Sequence, residues 1–134
     1  MPEKSDRPGA AARRLSIVSL GAQGDGRAEE NGERVSVPFT LAGETVQVDG
    51  EGERLRLVEV LQASPDRCAP RCRHFGRCGG CTLQHMASAP YAAFKRDLIL
   101  RALNARGLKA DVAETWVTPP ASRRRAPVAA RRAG

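Results

Sequence analysis

The chain has 134 residues, with 22 lysines and arginines against 15 aspartates and glutamates, for a net charge of +7. That length holds one domain or two very small ones, and with only 4% aromatic residues there is little bulk for one deep core. No apolar run approaches the roughly 20 residues that cross a bilayer, and no apolar segment follows the polar N-terminus as a secretion signal requires.

Those absences remove the membrane-spanning and secreted classes and imply a cytoplasmic protein. A pI of about 10.1 points to a polyanionic partner, nucleic acid before an anionic membrane surface. Charge alone is also compatible with an ordinary soluble basic domain.

Residues 1–13 are polar, with Pro, Gly and Ala and no periodicity, and read as a disordered leader. Leu15, Ile17 and the stretch 18–20 make a short β-type run closed by Gly21. Gly-Ala-Gln-Gly-Asp-Gly-Arg (21–27) then reads as a glycine-rich reversal. Arg34-Val-Ser-Val-Pro-Phe alternates toward a strand, with Pro38 marking an edge or an end. Thr45-Val-Gln-Val is another short strand, and Asp49-Gly-Glu-Gly a turn. Arg54-Leu-Arg-Leu-Val-Glu-Val is the clearest strand, with Leu55, Leu57 and Val60 facing inward.

Four or five short strands over 14–62, separated by glycine turns, predict a small β-barrel; the alternative is a loose meander. Acids are dense between Asp25 and Glu59, so the positive charge lies elsewhere: Arg67, Arg71, Arg73 and Arg77, and a C-terminal run.

All four cysteines fall within fourteen residues: Cys68-Ala-Pro-Arg-Cys72-Arg-His-Phe-Gly-Arg-Cys78-Gly-Gly-Cys81. In a cytosolic chain such clustering reads as metal-binding or redox-active before disulfides. The Cys78-Gly-Gly-Cys81 loop must fold back for both sulfurs to face one point. Two glycines allow that and leave amide N–H groups near sulfur. Zinc and iron–sulfur both accept four thiolates. Spacings of three, five and two residues within one uninterrupted loop lean toward wrapping a [4Fe–4S] cluster. His74 and His85 are available to zinc, although histidines in a basic loop more often pack or sit at the surface.

Ser88 is placed as an N-cap with Pro90 in the first turn. Tyr91, Phe94, Leu98, Ile99, Ala102 and Leu103 then repeat at helical spacing, and Gly107 stops the helix. The predicted helix runs over 91–106, within a segment 88–107. Residues 112–117, with the single tryptophan Trp116, begin a strand broken by Pro119-Pro120. Ser122-Arg-Arg-Arg-Ala-Pro-Val-Ala-Ala-Arg-Arg-Ala-Gly carries five arginines and no acid, either as a tail or as a strand whose partners are missing.

Pro65-Asp-Arg, Pro70-Arg-Cys-Arg-His-Phe-Gly-Arg-Cys-Gly-Gly-Cys-Thr-Leu-Gln-His85 and Tyr91-x3-Lys95 resemble the iron–sulfur segment of the bacterial S-adenosylmethionine-dependent RNA uracil-5-methyltransferases of the 23S ribosomal type. Residues 15–60 are similar to the OB-like TRAM domain that precedes the cluster in that family, through Ile17-Val-Ser-Leu-Gly-Ala-Gln-Gly-Asp-Gly-Arg, Val35-Ser-Val-Pro and Gly43-Glu44. Ser122-Arg-Arg-Arg-Ala resembles the arginine-rich strand opening the family's central domain, so 112–134 is expected to be the truncated start of that domain.

The resemblance implies an α+β chain: a TRAM-like barrel at 14–62, a cysteine cluster loop at 65–86 and one amphipathic helix. It puts three cluster ligands on Cys72, Cys78 and Cys81. Cys68 is off the family's pattern, and the family's fourth, more distant cysteine has no counterpart after Cys81. Either Cys68 stands in, or the ligand set is incomplete. The implied partner is RNA, 23S ribosomal RNA above all, met by Arg71, Arg73, Arg77, Arg123, Arg124 and Arg125.

The family's S-adenosylmethionine site, cysteine nucleophile and carboxylate base have no match here. The expectation is therefore a non-catalytic, [4Fe–4S]-carrying, RNA-binding portion of a methyltransferase. The alternative is a standalone RNA-binding module with structural zinc. A thiol-redox role for Cys78 and Cys81 lacks a thioredoxin-like βαβ setting.

Overall fold

The computed structural model describes residues 12–122, 124 and 125; the expected leader lies almost wholly outside them, and so does most of the C-terminal arginine run. The chain divides into two compact units, Met1–Ser64 and Pro65–Gly134.

The first unit holds six strands: β1 (Arg13–Ser16), β2 (Ser19–Leu20), β3 (Gly26–Glu30), β4 (Glu33–Val37), β5 (Thr45–Asp49) and β6 (Arg56–Gln62). They form two three-stranded sheets, ordered β1-β5-β6 and β2-β3-β4, with every pairing antiparallel. Alternate residues point inward, as the two-residue period of a strand dictates. Leu15, Ile17, Ala28, Val35, Val37, Val46, Val48 and Leu55 make one buried cluster, with Leu57 and Val60 packed against it. The inward placement expected of Leu55, Leu57 and Val60 holds.

Two short links join the sheets. Ile17 donates its N–H to the Glu44 carbonyl at 2.8 Å, while Val18 donates to Arg27 at 2.9 Å, so the chain passes from one sheet to the other between them. On the far side Ser36 and Leu55 exchange backbone bonds with Glu53 and Ser36 at 2.7 and 2.8 Å, around an isolated parallel bridge between Ser36 and Arg54. The α+β class holds, but the barrel does not close into one continuous ladder. β2 is two residues long, and the second contact is a single bridge.

β3 corrects the reading of 21–27 as turn alone. Its Ala-Glu-Glu segment hides a strand because only Ala28 faces the core while Arg27 and Glu29 are exposed. Asn31 and Gly32, both at positive φ (53° and 82°), make the two-residue turn whose twist suits a hairpin. Gly26, the first residue of β3, has no room for a side chain. A Cβ there would lie 1.9 Å from Thr40 Oγ1 and 2.9 Å from Ile17 Cγ2. Gly26→Ala is expected to cost about 1–3 kcal/mol through overpacking, read as a lower urea midpoint of the β unit.

In the second unit, α1 (Ser88–Asn104) starts three residues earlier than periodicity predicts. Ala87 is its N-cap, without a side-chain bond, so Ser88 does not cap it. Gly107, at φ 68°, ends the helix as expected: its N–H bonds Asn104 and that of Leu108 bonds Leu103, both at 3.0 Å. The apolar stripe is shallower than the pattern implies, since no residue of α1 is fully buried. Residues 112–117 are not a strand. They run along α1, held by Arg96 Nε donating to the Val112 carbonyl at 2.8 Å and by Thr115 Oγ1 donating to the Ala92 carbonyl at 2.7 Å. Trp116 is 90% exposed.

Candidate metal centre

The cysteine loop is closed at its stem. Cys68 donates its N–H to the His85 carbonyl at 2.9 Å, and Ala87 donates to the Asp66 carbonyl at 2.8 Å, flanking an antiparallel bridge between Arg67 and Met86. Leu83, His85 and Met86 are buried beside that stem, and the Phe75 ring lies 5.5 Å from the His85 ring. The burial of His85 makes it a packing residue here, whereas His74 is exposed. Tight turns shape the rest: Phe75 N–H bonds the Cys72 carbonyl at 3.1 Å and Cys78 N–H bonds that of His74 at 3.2 Å. Gly79 has φ 73°, a left-handed conformation that uses the backbone freedom of glycine.

The four cysteines are free thiols. Cys68, Cys78 and Cys81 are exposed and Cys72 is half-buried. Two of the sulfurs accept hydrogen bonds. The His74 N–H points at Cys72 Sγ at 3.4 Å, and Gln84 Nε2 donates to Cys81 Sγ at 3.0 Å. Cys68 is opposite in kind: its Sγ–H donates to the Gln84 carbonyl oxygen at 3.6 Å, a contact that uses the thiol hydrogen.

Donors aimed at sulfur suit a thiophilic metal, so the surroundings of Cys72 and Cys81 fit such a centre, and Cys78 adds an exposed sulfur. The geometry does not draw the set into a shell. Among the described residues no three Cys, His, Asp or Glu side chains converge to hold a metal. The glycine amides expected to serve sulfur do not; one donor is the His74 amide and the other is Gln84, which reasoning from cysteine spacing missed. Its position three residues after Cys81 in the same loop is the only signal that marks it.

Arg71, Arg73, Arg77, Arg124 and Arg125 are all exposed, and Arg123 lies outside the described residues. Arg73 Nε donates to His74 Nε2 at 3.1 Å. Three cations of the β unit are paired: Arg13 with Glu30 at 2.7 Å, Arg54 with Asp25, and Arg56 with Asp49. No helix among the described residues is long and apolar enough to cross a membrane.

No family model matches the chain. It is 47% identical over 121 residues to a Caulobacter vibrioides protein named "uncharacterized RNA methyltransferase", a match covering 90% of this chain and 29% of that protein. A Brucella suis protein of the same description is 47% identical over 118 residues, covering 88% of this chain and 28% of its own length. A Xylella fastidiosa protein named 23S rRNA (uracil(1939)-C(5))-methyltransferase RlmD is 40% identical over 115 residues, covering 75% of this chain and 26% of its own. The chain thus spans less than a third of the length of these curated relatives. It is homologous to a segment of proteins named RNA methyltransferases.

Proposed function

We propose that this chain is the RNA-gripping, metal-carrying portion of a uracil-C5 methyltransferase acting on ribosomal RNA in the cytoplasm, with methyl transfer from S-adenosylmethionine residing in a catalytic domain that these residues do not supply. The observation that carries the reading is identity of 47% across nine-tenths of the chain with proteins named RNA methyltransferases. In this reading the β unit is the TRAM domain, and residues 112–134 open the next domain. Cys72, Cys78 and Cys81 hold a [4Fe–4S] cluster. The cluster supplies a rigid cross-link within the loop; the arginines around it supply the electrostatics. Cys68, whose Sγ–H is turned to a carbonyl oxygen, stands outside that ligand set.

Anaerobic purification followed by metal and sulfide analysis tests the centre. About four irons with sulfide per chain supports it, whereas one zinc and no sulfide supports the alternative in which all four cysteines hold a structural ion.

Binding to RNA is tested separately by titrating a 23S ribosomal RNA fragment over a range of salt. Each arginine–phosphate contact contributes about one counterion to the slope of log affinity against log salt. Arg71→Ala, Arg73→Ala and Arg77→Ala together are expected to flatten that slope by about two to three. A slope that the triple variant leaves unchanged removes these arginines from the RNA contact.

A further inference from the structure

The only tryptophan of the chain stands in water on a fastened backbone. Trp116 is 90% exposed. Thr115 Oγ1 nevertheless donates to the Ala92 carbonyl at 2.7 Å, and Arg96 Nε donates to the Val112 carbonyl at 2.8 Å. Both contacts tie the segment just before the indole to α1, so the ring is presented from a fixed support rather than from a free tail. An indole offers about 150–250 Å2 to an occupant, and here almost none of it is used within the chain.

Charge selects the occupant. Residues 65–134 hold 14 lysines and arginines against 4 aspartates and glutamates, a net +10, whereas residues 1–64 hold 8 against 11. Exposed Arg106, Lys109, Arg124 and Arg125 flank Trp116 in the chain, opposed by Asp111 and Glu114. A second aromatic, Tyr91, is 37% exposed in the first turn of α1, with Lys95 Nζ 5.5 Å from its ring centroid. The core of a protein–protein interface is depleted of lysine and of charge generally. Exposed rings set among cations are instead the composition of a single-strand nucleic-acid surface, where bases stack on the rings and the cations follow the phosphates.

We infer that Trp116 is a stacking platform for an unpaired base of single-stranded RNA, held in place by its two ties to α1 and set among cations that meet the adjoining phosphates. RNA as the partner rests on the proposed function above; the choice of Trp116 rests on its exposure, its anchorage and the charge around it. Stacking needs a flat π-face and no particular base, so Trp116 contributes affinity without sequence choice. It releases no counterion, so its contribution is independent of salt, unlike that of the arginines.

The test uses the full chain and an end-labelled oligouridylate of about 12 nucleotides, a length that one such surface spans. Anisotropy of the labelled RNA reports affinity, and intrinsic fluorescence reports Trp116 alone, because no other tryptophan is present. RNA should quench the indole. Trp116→Leu should bind about 5- to 150-fold more weakly, while Trp116→Phe, which keeps a π-face, stays close to native. The slope of log affinity against log salt should be the same in all three chains. At such exposure neither substitution disturbs packing, and superimposable thermal melts check this.

Salt-dependent RNA binding with an unquenched indole, or with Trp116→Leu at native affinity, overturns the stacking role and leaves the RNA reading standing. So does binding to the 23S ribosomal RNA fragment with none to the oligouridylate. Equal losses in Trp116→Leu and Trp116→Phe overturn it as well, since a π-face would then confer nothing. Emission that shifts to the blue as the RNA-free chain is concentrated assigns the indole to a second copy instead. A chain that binds neither RNA overturns both this inference and the function on which it rests.

Discussion

Cys78→Ser in the 134-residue chain is expected to abolish binding at the proposed metal centre and to open residues 65–86 to protease, while Cys68→Ser leaves metal content and protease resistance largely intact. The first half follows from how little else holds the loop. Residues 68–81 are exposed apart from half-buried Cys72 and Phe75, and they are attached by a two-bond backbone stem, by Gln84 contacts to Cys68, Cys72 and Cys81, and by Leu83, His85 and Met86 beneath. With so little apolar surface buried, the proposed ligand bonds are what would order the loop. Metal-binding energy of that kind is folding energy, about 10–16 kcal/mol in the case of structural zinc in fingers. Serine at 78 removes a soft ligand of the proposed centre.

The second half follows from the direction of one hydrogen bond. Cys68 Sγ–H is turned to the Gln84 carbonyl, whereas Cys72 and Cys81 receive donors. Metal content and limited proteolysis with mass-spectrometric mapping check both variants. An unchanged cleavage pattern after metal removal from the native chain would exclude the clamp. Equal metal loss from Cys68→Ser would put all four cysteines in the shell.

Glu44→Ala is expected to be the most damaging single change in the β unit. The carboxylate is 1% exposed. It accepts the Leu41 N–H on Oε2 at 2.8 Å and the Ser64 N–H on Oε1 at 3.2 Å. It therefore binds the turn before β5 to the segment leaving β6. Hydrogen bonds to a charged group contribute about 1.5–3 kcal/mol each, and an abandoned buried N–H costs about 1–3 kcal/mol. Alanine abandons two of them beside a cavity, a loss of about 2–4 kcal/mol once partial relaxation is allowed.

For a domain this small, each kcal/mol moves the midpoint by about 4–8 °C, so a fall of about 10–25 °C is expected in a thermal melt followed by circular dichroism. Glu44→Gln is a sharper probe, because its amino group must face one of the two N–H donors. It should recover at most half of the loss. A melt within 3 °C or so of native for both variants would mean that water replaces the carboxylate.

Strands and the helix stop were legible wherever local chemistry decides. Val46 and Val48, Val35 and Val37, and Leu55 with Leu57 alternate because one face of each strand must leave water, and Gly107 ends α1 because it takes a positive φ without cost. β3 was obscured because its outward residues are Arg27 and Glu29 and its inward ones are only Gly26 and Ala28, so hydropathy carries almost no alternation. Asn31-Gly32 was the better signal, acting through turn geometry rather than burial.

The cysteine spacing by itself determined that thiols cluster and which family's motif they follow, because that information lies within fourteen consecutive residues. Tertiary structure alone decided the rest: two sheets joined by short links instead of a closed barrel, residues 112–117 laid along α1 rather than forming a strand, and the unequal surroundings of the four sulfurs. Each of these depends on which backbone N–H finds which acceptor across the fold. Glu44 and Gln84 do not differ from surface residues in sequence, and acquire their roles only when folding removes water and leaves their polar atoms as the partners within reach.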